Sequence, residues 1–188
     1  MKKLFPVLLV SLLMLAPDSL YARDFKGVNF PETAIINGTT CKLMGVGIRK
    51  KLIINVYLGA LYLEKPTKNA AEVIANDQVK QVVMHFLYKE VTTEQIVEAF
   101  NEGFRNNSPE KAAALKAQID RFNSFFTRPM KSGERLMVTY IPGRGTEVSI
   151  RGTTAGLIEG KNFMEVVFST WFGPKPPSGG LKEGMLGE

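Results

Sequence analysis

The segment from Gly45 to Glu64, GVGIRKKLIINVYLGALYLE, constrains the fold of this chain more than any other. Between Leu52 and Leu63 its only polar groups are one side-chain amide and two tyrosine hydroxyls. A half-buried strand alternates apolar and polar residues, whereas a strand that is apolar throughout has both faces covered. The run therefore predicts one long strand buried on both faces, and a cationic side chain, Arg49, stands at its entrance.

Other strands are indicated on both sides of this segment. The turn pair Asn37-Gly38 separates two short apolar segments and predicts a hairpin, and the opening stretch supplies one or two further strands. VKQVVMHFLY, residues 79–88, is rich in β-forming residues. Residues 134–152 predict a second hairpin that turns near Gly143. Strands thus precede and follow the central part of the chain.

Helices are predicted between and after these strands. NAAEVIAND, residues 69–77, reads as a short helix, and Thr92 with Gln95 forms a capping box at the start of another. Ser108-Pro109 opens the next helix, and residues 160–173 form the final one, ended by Gly173-Pro174. The helix after Pro109 carries one apolar stripe, made of Leu115, Ile119, Phe122 and Phe126. This order predicts an α+β protein, an antiparallel sheet covered by helices.

The first 22 residues predict a cleaved secretory leader. MKK is a basic start, LFPVLLVSLLMLA is a 13-residue apolar run, and Ala22 is the small residue at the expected cleavage site. The alternative is a retained membrane anchor, but 13 residues are short for a bilayer. We expect residues 1–22 to be a signal peptide and residues 23–188 a single periplasmic domain with no integral membrane anchor after cleavage.

Composition and motifs exclude several classes of function. The formal net charge is +6, but basic residues are spread along the chain, which does not predict a nucleic-acid surface. Cys41 is the only cysteine, so no internal disulfide is expected, and we interpret it as a buried apolar residue. His85, the only histidine, has no second ligand beside it. No catalytic triad, zinc-ligand spacing or phosphate loop is present, and we expect neither cofactor nor metal.

Three polar residues fall where periodicity predicts the core. Thr170 shares the apolar face of the final helix, Asn101 lies at the edge of the apolar face of the capping-box helix, and Arg49 enters an apolar strand. Each has an ordinary structural interpretation: a threonine bonded to its own helix, a solvated asparagine, a surface arginine. A buried arginine without a partner is costly, so Arg49 either reaches water or meets an anion.

Two segments carry a resemblance to a known family. GVGIRKK…NVYLGALYLE resembles the signature of the chalcone isomerase family, and FSTWFGPKPPSGGLKEGMLG resembles the ending of its exported bacterial branch. The similarity extends over residues 37–187. It implies an open-faced β-sandwich, a large antiparallel sheet with helices packed on one face.

The resemblance also implies roles for individual residues. In the plant enzymes of the family an arginine steadies the phenolate, and it matches Arg49; an asparagine and a threonine hold a phenol, and they match Asn101 and Thr170. The threonine that polarises the ketone falls at Tyr57, which still carries a hydroxyl, and the tyrosine with the same task falls at Glu94. An ionised glutamate cannot donate a hydrogen bond, and donors of this kind are worth about 3–4 kcal/mol, so efficient cyclisation is disfavoured.

Three hypotheses follow. Non-catalytic members of the family bind fatty acids, so the first is a binding or carrier protein for a fatty acid or similar amphipathic anion. Arg49 would take the head group, Tyr57 and Thr170 would donate hydrogen bonds, and Asn101 would lie at the rim. The second is an intramolecular lyase of the chalcone isomerase type, with Arg49 and Tyr57 as catalytic residues. The third is an envelope protein whose surface binds another protein.

The first two hypotheses share a geometric requirement. On one straight strand Arg49 and Tyr57 would lie about 26 Å apart. A bend or hairpin near Lys50-Lys51 is therefore needed before one small ligand can touch both.

Overall fold

A computed structural model describes residues 22–188, so the predicted leader lies outside the described residues except for Ala22. The strands in this range are β1 (Ala22–Phe25), β2 (Val28–Pro31), β3 (Thr33–Ile36), β4 (Thr39–Lys51), β5 (Ile54–Leu63), β6 (Lys80–Phe86), β7 (Glu90–Val91), β8 (Met130–Lys131), β9 (Arg135–Ile141), β10 (Gly145–Ile150) and β11 (Thr153–Ile158). The helices are α1 (Ala70–Ala75), α2 (Thr93–Asn107), α3 (Pro109–Ala114), α4 (Lys116–Asn123), α5 (Lys161–Phe172) and α6 (Gly179–Leu186). None of these helices is long and apolar enough to cross a bilayer.

Seven strands form one antiparallel sheet in the order β11-β10-β9-β6-β5-β4-β3. Both predicted hairpins are present, since β3 and β4 are joined at Asn37-Gly38 and β9 and β10 are joined around Gly143. Strand β11 extends the sheet by one strand that the sequence reading did not include. The predicted α+β class with an antiparallel sheet and helices is confirmed.

The apolar run at the centre of the sheet is divided by a tight turn. Strands β4 and β5 pair antiparallel, with Lys51 opposite Ile54, so that Leu52 and Ile53 form the turn. The prediction of a single long strand beginning at Leu52 is therefore wrong at its start. The physical reason is that Leu52 adopts a left-handed conformation, with φ of 55°, which this residue type seldom favours and which no sequence pattern indicates. From Tyr57 to Leu63 the strand is buried throughout, as its composition predicts.

The two faces of β5 enter different apolar clusters. Tyr57 and Leu61 point toward the helices and join the larger cluster. Leu58 and Tyr62 point to the opposite face, where they pack in a second cluster with Phe30 of the β1–β2 hairpin. Burial of both faces explains why this strand carries almost no polar residues.

The predicted helix starts are confirmed, but one predicted helix is divided. Thr92 and Gln95 form the capping box of α2, with both hydrogen bonds present, and Pro109 occupies the first turn of α3. The single helix predicted after Pro109 breaks at Leu115, whose φ of −106° and ψ of 21° separate α3 from α4. Of the predicted stripe, Phe122 is buried in the helix-side cluster and Ile119 packs against it, whereas Phe126 is buried there but lies beyond the end of α4.

Helix α6 follows the helix that the sequence indicated as the last one, so that prediction is wrong. Its glycines lower helix propensity and hide its signal. The same small residues allow close packing, since a Cβ on Gly184 would lie 2.6 Å from Cα of Gly47 in β4. A Cβ on Gly47 would overlap the carbonyl of Leu181. The two segments that carry the family resemblance therefore pack directly against each other.

Candidate functional site

Arg49 and Tyr57 face each other across the β4–β5 hairpin. They are direct partners in the strand register, so the bend that the ligand hypotheses require is present as a hairpin. Cross-strand partners point to the same face of a sheet, and Tyr57 belongs to the helix-side cluster. Arg49 therefore also lies on the helix-covered face. The residue as a whole is half-buried, and its guanidinium donates to the carbonyl oxygen of Lys50 in a solvent-exposed hydrogen bond.

The hydroxyl group of Tyr57 is buried and held in place. Nε1 of Trp171 donates a hydrogen bond to it over 3.2 Å, and only 7% of the residue is exposed. Burial raises the pKa of Tyr57 to about 12, against the smaller lowering effects of the Trp171 hydrogen bond and the charge of Arg49. The phenol therefore keeps its proton at neutral pH and can act as a hydrogen-bond donor, not as a base.

Aromatic side chains fill the space behind this pair. The ring of Phe86 lies 5.8 Å from that of Tyr57, and Phe100 meets Trp171 edge-on at 5.7 Å. Phe126 stacks on Phe100, again at 5.7 Å. The surroundings of the Tyr57 hydroxyl are thus apolar apart from the Trp171 N–H and the nearby arginine charge.

Thr170 points into the helix layer, as its periodicity predicts. It is 4% exposed, and its hydroxyl oxygen finds no hydrogen-bond partner among residues 22–188. It packs against Gly103 of α2 so closely that a Cβ at position 103 would lie 2.6 Å from Cγ2 of Thr170 and 2.8 Å from Oγ1. The threonine therefore sets how near α2 and α5 approach.

Asn101 lies on the side of α2 that faces α4. Its Oδ1 accepts a hydrogen bond of 3.1 Å from Nδ2 of Asn123, whose own Oδ1 is buried and has no partner within the described range. Thr170 and Asn101 thus have separate neighbours, Gly103 and Asn123. Of the four predicted ligand-binding residues, Arg49 and Tyr57 are brought together by the strand register. Thr170 lies next to Trp171 in the sequence, and Trp171 is hydrogen-bonded to Tyr57.

Two clefts open on the surface of the described residues. One, of about 430 Å³, lies where α6 meets β4 and includes Gly47 and Gly184. The other, of about 630 Å³, lies beside the start of α5 and includes Tyr140 and Lys161. Neither is lined by any of the four predicted residues. An acyl chain that entered the cluster behind Tyr57 would have to displace aromatic side chains there.

Glu94 stands in the first turn of α2 and is exposed. Hydrogen bonds from its own backbone amide, and then from the Thr92 side chain, hold the pKa of its carboxyl below the usual value. The carboxylate is consequently ionised at neutral pH and has no proton to donate.

Two residues near the core were not recognised from the sequence as important. Trp171 lies in the C-terminal segment that resembles the family, but nothing in the sequence indicates its hydrogen bond to Tyr57. Lys80 is fully buried at the start of β6, and its ammonium group donates to the carbonyl of Val73 at the end of α1 over 2.6 Å. It also lies 5.3 Å from the ring centre of Phe168. Burial, reinforced by the charge of Lys161, lowers the pKa of Lys80 to about 8, so it is mostly protonated at pH 7.

The single cysteine and the single histidine both lie in the sheet. Cys41 is buried, as predicted, and burial together with the charge of Glu64 raises the pKa of its thiol to about 11. His85 is half-buried, and its Nδ1 accepts a hydrogen bond of 3.4 Å from Nε of Arg135. Burial, and then the positive charge of Arg135, lowers the pKa of His85.

Comparison with known proteins agrees with this architecture. The model of the chalcone isomerase-like family matches residues 22–187, and the chain belongs to that family. Among solved structures it is similar to a fatty-acid binding protein of Arabidopsis thaliana, with a TM-score of 0.71 and 17% identity over 89% of this chain and 96% of the other. At that identity the likeness shows the fold alone. No curated protein sequence matches the chain.

Proposed function

We propose that this protein is a non-catalytic, exported binding or carrier protein for a fatty acid or a similar amphipathic anion. The single observation that carries the proposal is the direct pairing of Arg49 with Tyr57 across the hairpin, on the helix-covered face of the sheet. The solved relative named as a fatty-acid binding protein supports it by fold. The predicted leader supplies the periplasmic location.

The pair suits a carboxylate head group. Arg49 supplies a permanent positive charge with several N–H donors in one plane. The Tyr57 hydroxyl already accepts from Trp171, so its own proton is the one directed to a ligand. Together they offer charge-assisted hydrogen bonds to one carboxylate, the strong class of such bonds.

The region behind the pair suits an alkyl tail. Rings of Phe86, Phe100, Phe126 and Trp171 surround Tyr57 or its hydrogen-bond partner without introducing a charge. Each buried CH₂ group contributes about 0.8 kcal/mol, which is available once the rings rotate or separate. Binding therefore couples head-group capture to a local opening of the aromatic cluster.

The lyase alternative has less support. Cyclisation of an enone phenol needs donors that polarise the ketone, and the second donor position is the exposed carboxylate of Glu94. An ionised group there would repel a phenolate instead of assisting it. Absorbance decay of a chalcone in the presence of the protein, abolished in Arg49→Ala, would restore the lyase interpretation.

Calorimetric titration with dodecanoate tests the binding proposal. Arg49→Ala is expected to weaken binding by about 10- to 100-fold, because a hydrogen bond to a charged group contributes about 1.5–3 kcal/mol. Tyr57→Phe should weaken it by about fivefold. Arg144→Ala removes an exposed arginine from the β9–β10 turn and serves as the matched control.

Two ligand controls separate the head from the tail. Decanoate should bind about 15-fold more weakly than dodecanoate, since it buries two fewer CH₂ groups. Dodecanol, which lacks the carboxylate, should bind wild-type protein and Arg49→Ala alike. Equal losses in Arg49→Ala and Arg144→Ala, or no dodecanoate binding by any form, would show that the proposal is wrong.

A further inference from the structure

We propose that the tip of the β4–β5 hairpin docks on the surface of an anionic lipid bilayer. The hairpin tip is Leu52, Ile53 and Ile54, preceded by Lys50 and Lys51. This inference goes beyond ligand binding and does not depend on it.

The hairpin tip exposes its apolar side chains to an unusual degree. Leu52 is 93% exposed and Ile53 is 95% exposed, and Ile54 beside them is 41% exposed. Elsewhere in residues 22–188 the large apolar side chains are at least partly covered, with Ile35 as the one other strongly exposed case, at 70%. Three adjacent apolar side chains at the end of a hairpin form a small apolar patch, and removing this patch from water would be favourable.

The sequence of the two-residue turn, Leu52-Ile53, is unfavourable for its backbone conformation. Two-residue hairpin loops favour glycine or asparagine where φ is positive. Leu52 occupies such a position, with φ of 55°. A glycine or asparagine at position 52 would stabilise the folded chain, so folding gives no reason for Leu52. A contact made by the hairpin tip does.

The charge around the hairpin tip matches an anionic surface. Lys50 and Lys51 are exposed, and within residues 22–188 neither forms an ion pair. Strand β6 ends and strand β9 begins at this end of the sheet, so other exposed charges gather there. The basic ones are Lys89 and Lys131, whereas the guanidinium of Arg135 lies over the ring of Phe30 in the β1–β2 hairpin.

Acidic groups at the same end are fewer or already paired. Glu134 is bound to Arg151 at 2.7 Å, while Glu90 and Glu94 are exposed. The balance near the hairpin tip is therefore positive. Basic residues within a Debye length of an anionic leaflet each add attraction, and apolar residues that enter the headgroup region add to it.

The size of the hairpin tip favours a bilayer over a protein. A stable protein interface buries about 800 Å² on each side and avoids lysine at its centre. Three side chains bordered by two lysines fall short of that. A lipid headgroup layer needs neither a matching shape nor a large flat area.

Vesicle co-sedimentation of the full chain tests the proposal. The vesicles are pure phosphatidylcholine or phosphatidylcholine with phosphatidylglycerol. The double variant Leu52→Ser/Ile53→Ser is expected to bind anionic vesicles at least about tenfold more weakly than wild type. Lys50→Gln/Lys51→Gln should lose about 25-fold, roughly fivefold per lysine, and less at high salt. Ile35→Ser, an exposed isoleucine on the edge strand β3, is the matched control and should behave as wild type.

A local readout separates the hairpin tip from other parts of the chain that reach lipid. In Ile53→Trp, brominated anionic lipids should quench the added fluorescence, whereas in Ile35→Trp they should not. Trp171 is buried in both and provides a constant background. Both positions are exposed, so neither variant should disturb folding, and near-ultraviolet circular dichroism verifies this.

Two other outcomes would overturn the proposal, and a third would separate it from the ligand proposal. Equal vesicle binding by Leu52→Ser/Ile53→Ser and Ile35→Ser would show that the hairpin tip does not contact lipid. Absence of vesicle binding, together with self-association that the double variant abolishes, would assign the hairpin tip to a second copy of the chain. Failure of dodecanoate binding with intact vesicle binding would leave this inference standing and remove only the ligand proposal.

Discussion

Replacing Gly103 with alanine is expected to push α2 and α5 apart at Thr170. The added Cβ would lie 2.6 Å from Cγ2 of Thr170 and 2.8 Å from its Oγ1, distances that real Cβ atoms essentially never show. Overpacking of a core usually costs about 1–3 kcal/mol. Alanine is worth about 1 kcal/mol more than glycine inside a helix, so the net loss in the free energy of unfolding should be about 0–2 kcal/mol.

A second substitution separates the two effects. Thr170→Ala removes the two closest atoms but keeps Cβ of residue 170, which would lie 3.0 Å from the new Cβ, and the hydroxyl that it deletes is buried without a partner in the described chain. In the Thr170→Ala background Gly103→Ala should therefore cost much less than in wild type and could gain at most about 1 kcal/mol from helix propensity. The double-mutant cycle should give a coupling energy of about 1–3 kcal/mol between the two positions.

Urea denaturation, analysed by linear extrapolation, measures all four proteins. Gly180→Ala is the control, because a Cβ there meets nothing within 4 Å and only the helix propensity changes. Additive effects at positions 103 and 170 would refute the reasoning. They would mean that α2 and α5 do not approach as closely as described.

Two further predictions concern the C-terminal helix and the buried lysine. Gly47→Ala places a Cβ on the carbonyl of Leu181, so α6 should no longer pack closely on β4. The free energy of unfolding should fall by about 2 kcal/mol in thermal denaturation, and proteolysis between residues 174 and 186 should become faster. Resistance to proteolysis equal to that of wild type would contradict this prediction. Burial lowers the pKa of Lys80 in the folded protein to about 8, from about 10.5 in the unfolded chain, so between these pH values the unfolded chain holds more protons and stability rises with pH. The stability of wild type relative to Lys80→Met should therefore increase between pH 8 and pH 10.5 by at most about 3 kcal/mol, and a difference that stays flat in urea titrations would contradict it.

Local signals in the sequence predicted most of the sheet and the helix starts. The turn at Asn37-Gly38, the capping box at Thr92 and the inward direction of Thr170 all follow from residues close together in the chain. Each depends on backbone chemistry or periodicity that acts over a few residues. The α+β arrangement followed from their order.

The features that were missed depend on contacts distant in sequence. Leu52 accepts a left-handed conformation in a turn without glycine, so no turn signal divided the apolar run. Helix α6 carries glycines that lower its propensity, and one of them, Gly184, is explained only by its close approach to Gly45 and Gly47 in β4. The bond from Trp171 to Tyr57 joins residues 114 positions apart. Of the candidate site, periodicity and the family resemblance singled out the residues, but only the register of the hairpin shows which two meet.

The packing of α6 on the glycines of β4 and β5 also determines when the chain can finish folding during its synthesis on the ribosome. Gly59 of β5 lies against Leu181 and Met185, which are translated near the end of the sequence. At roughly 5–20 residues per second, the interval between positions 59 and 179 lasts about 6–24 s. During that interval α6 does not yet cover the face of the β4–β5 hairpin that carries Gly45, Gly47 and Gly59. The nascent chain must therefore stay partly open until almost all of it has been synthesised.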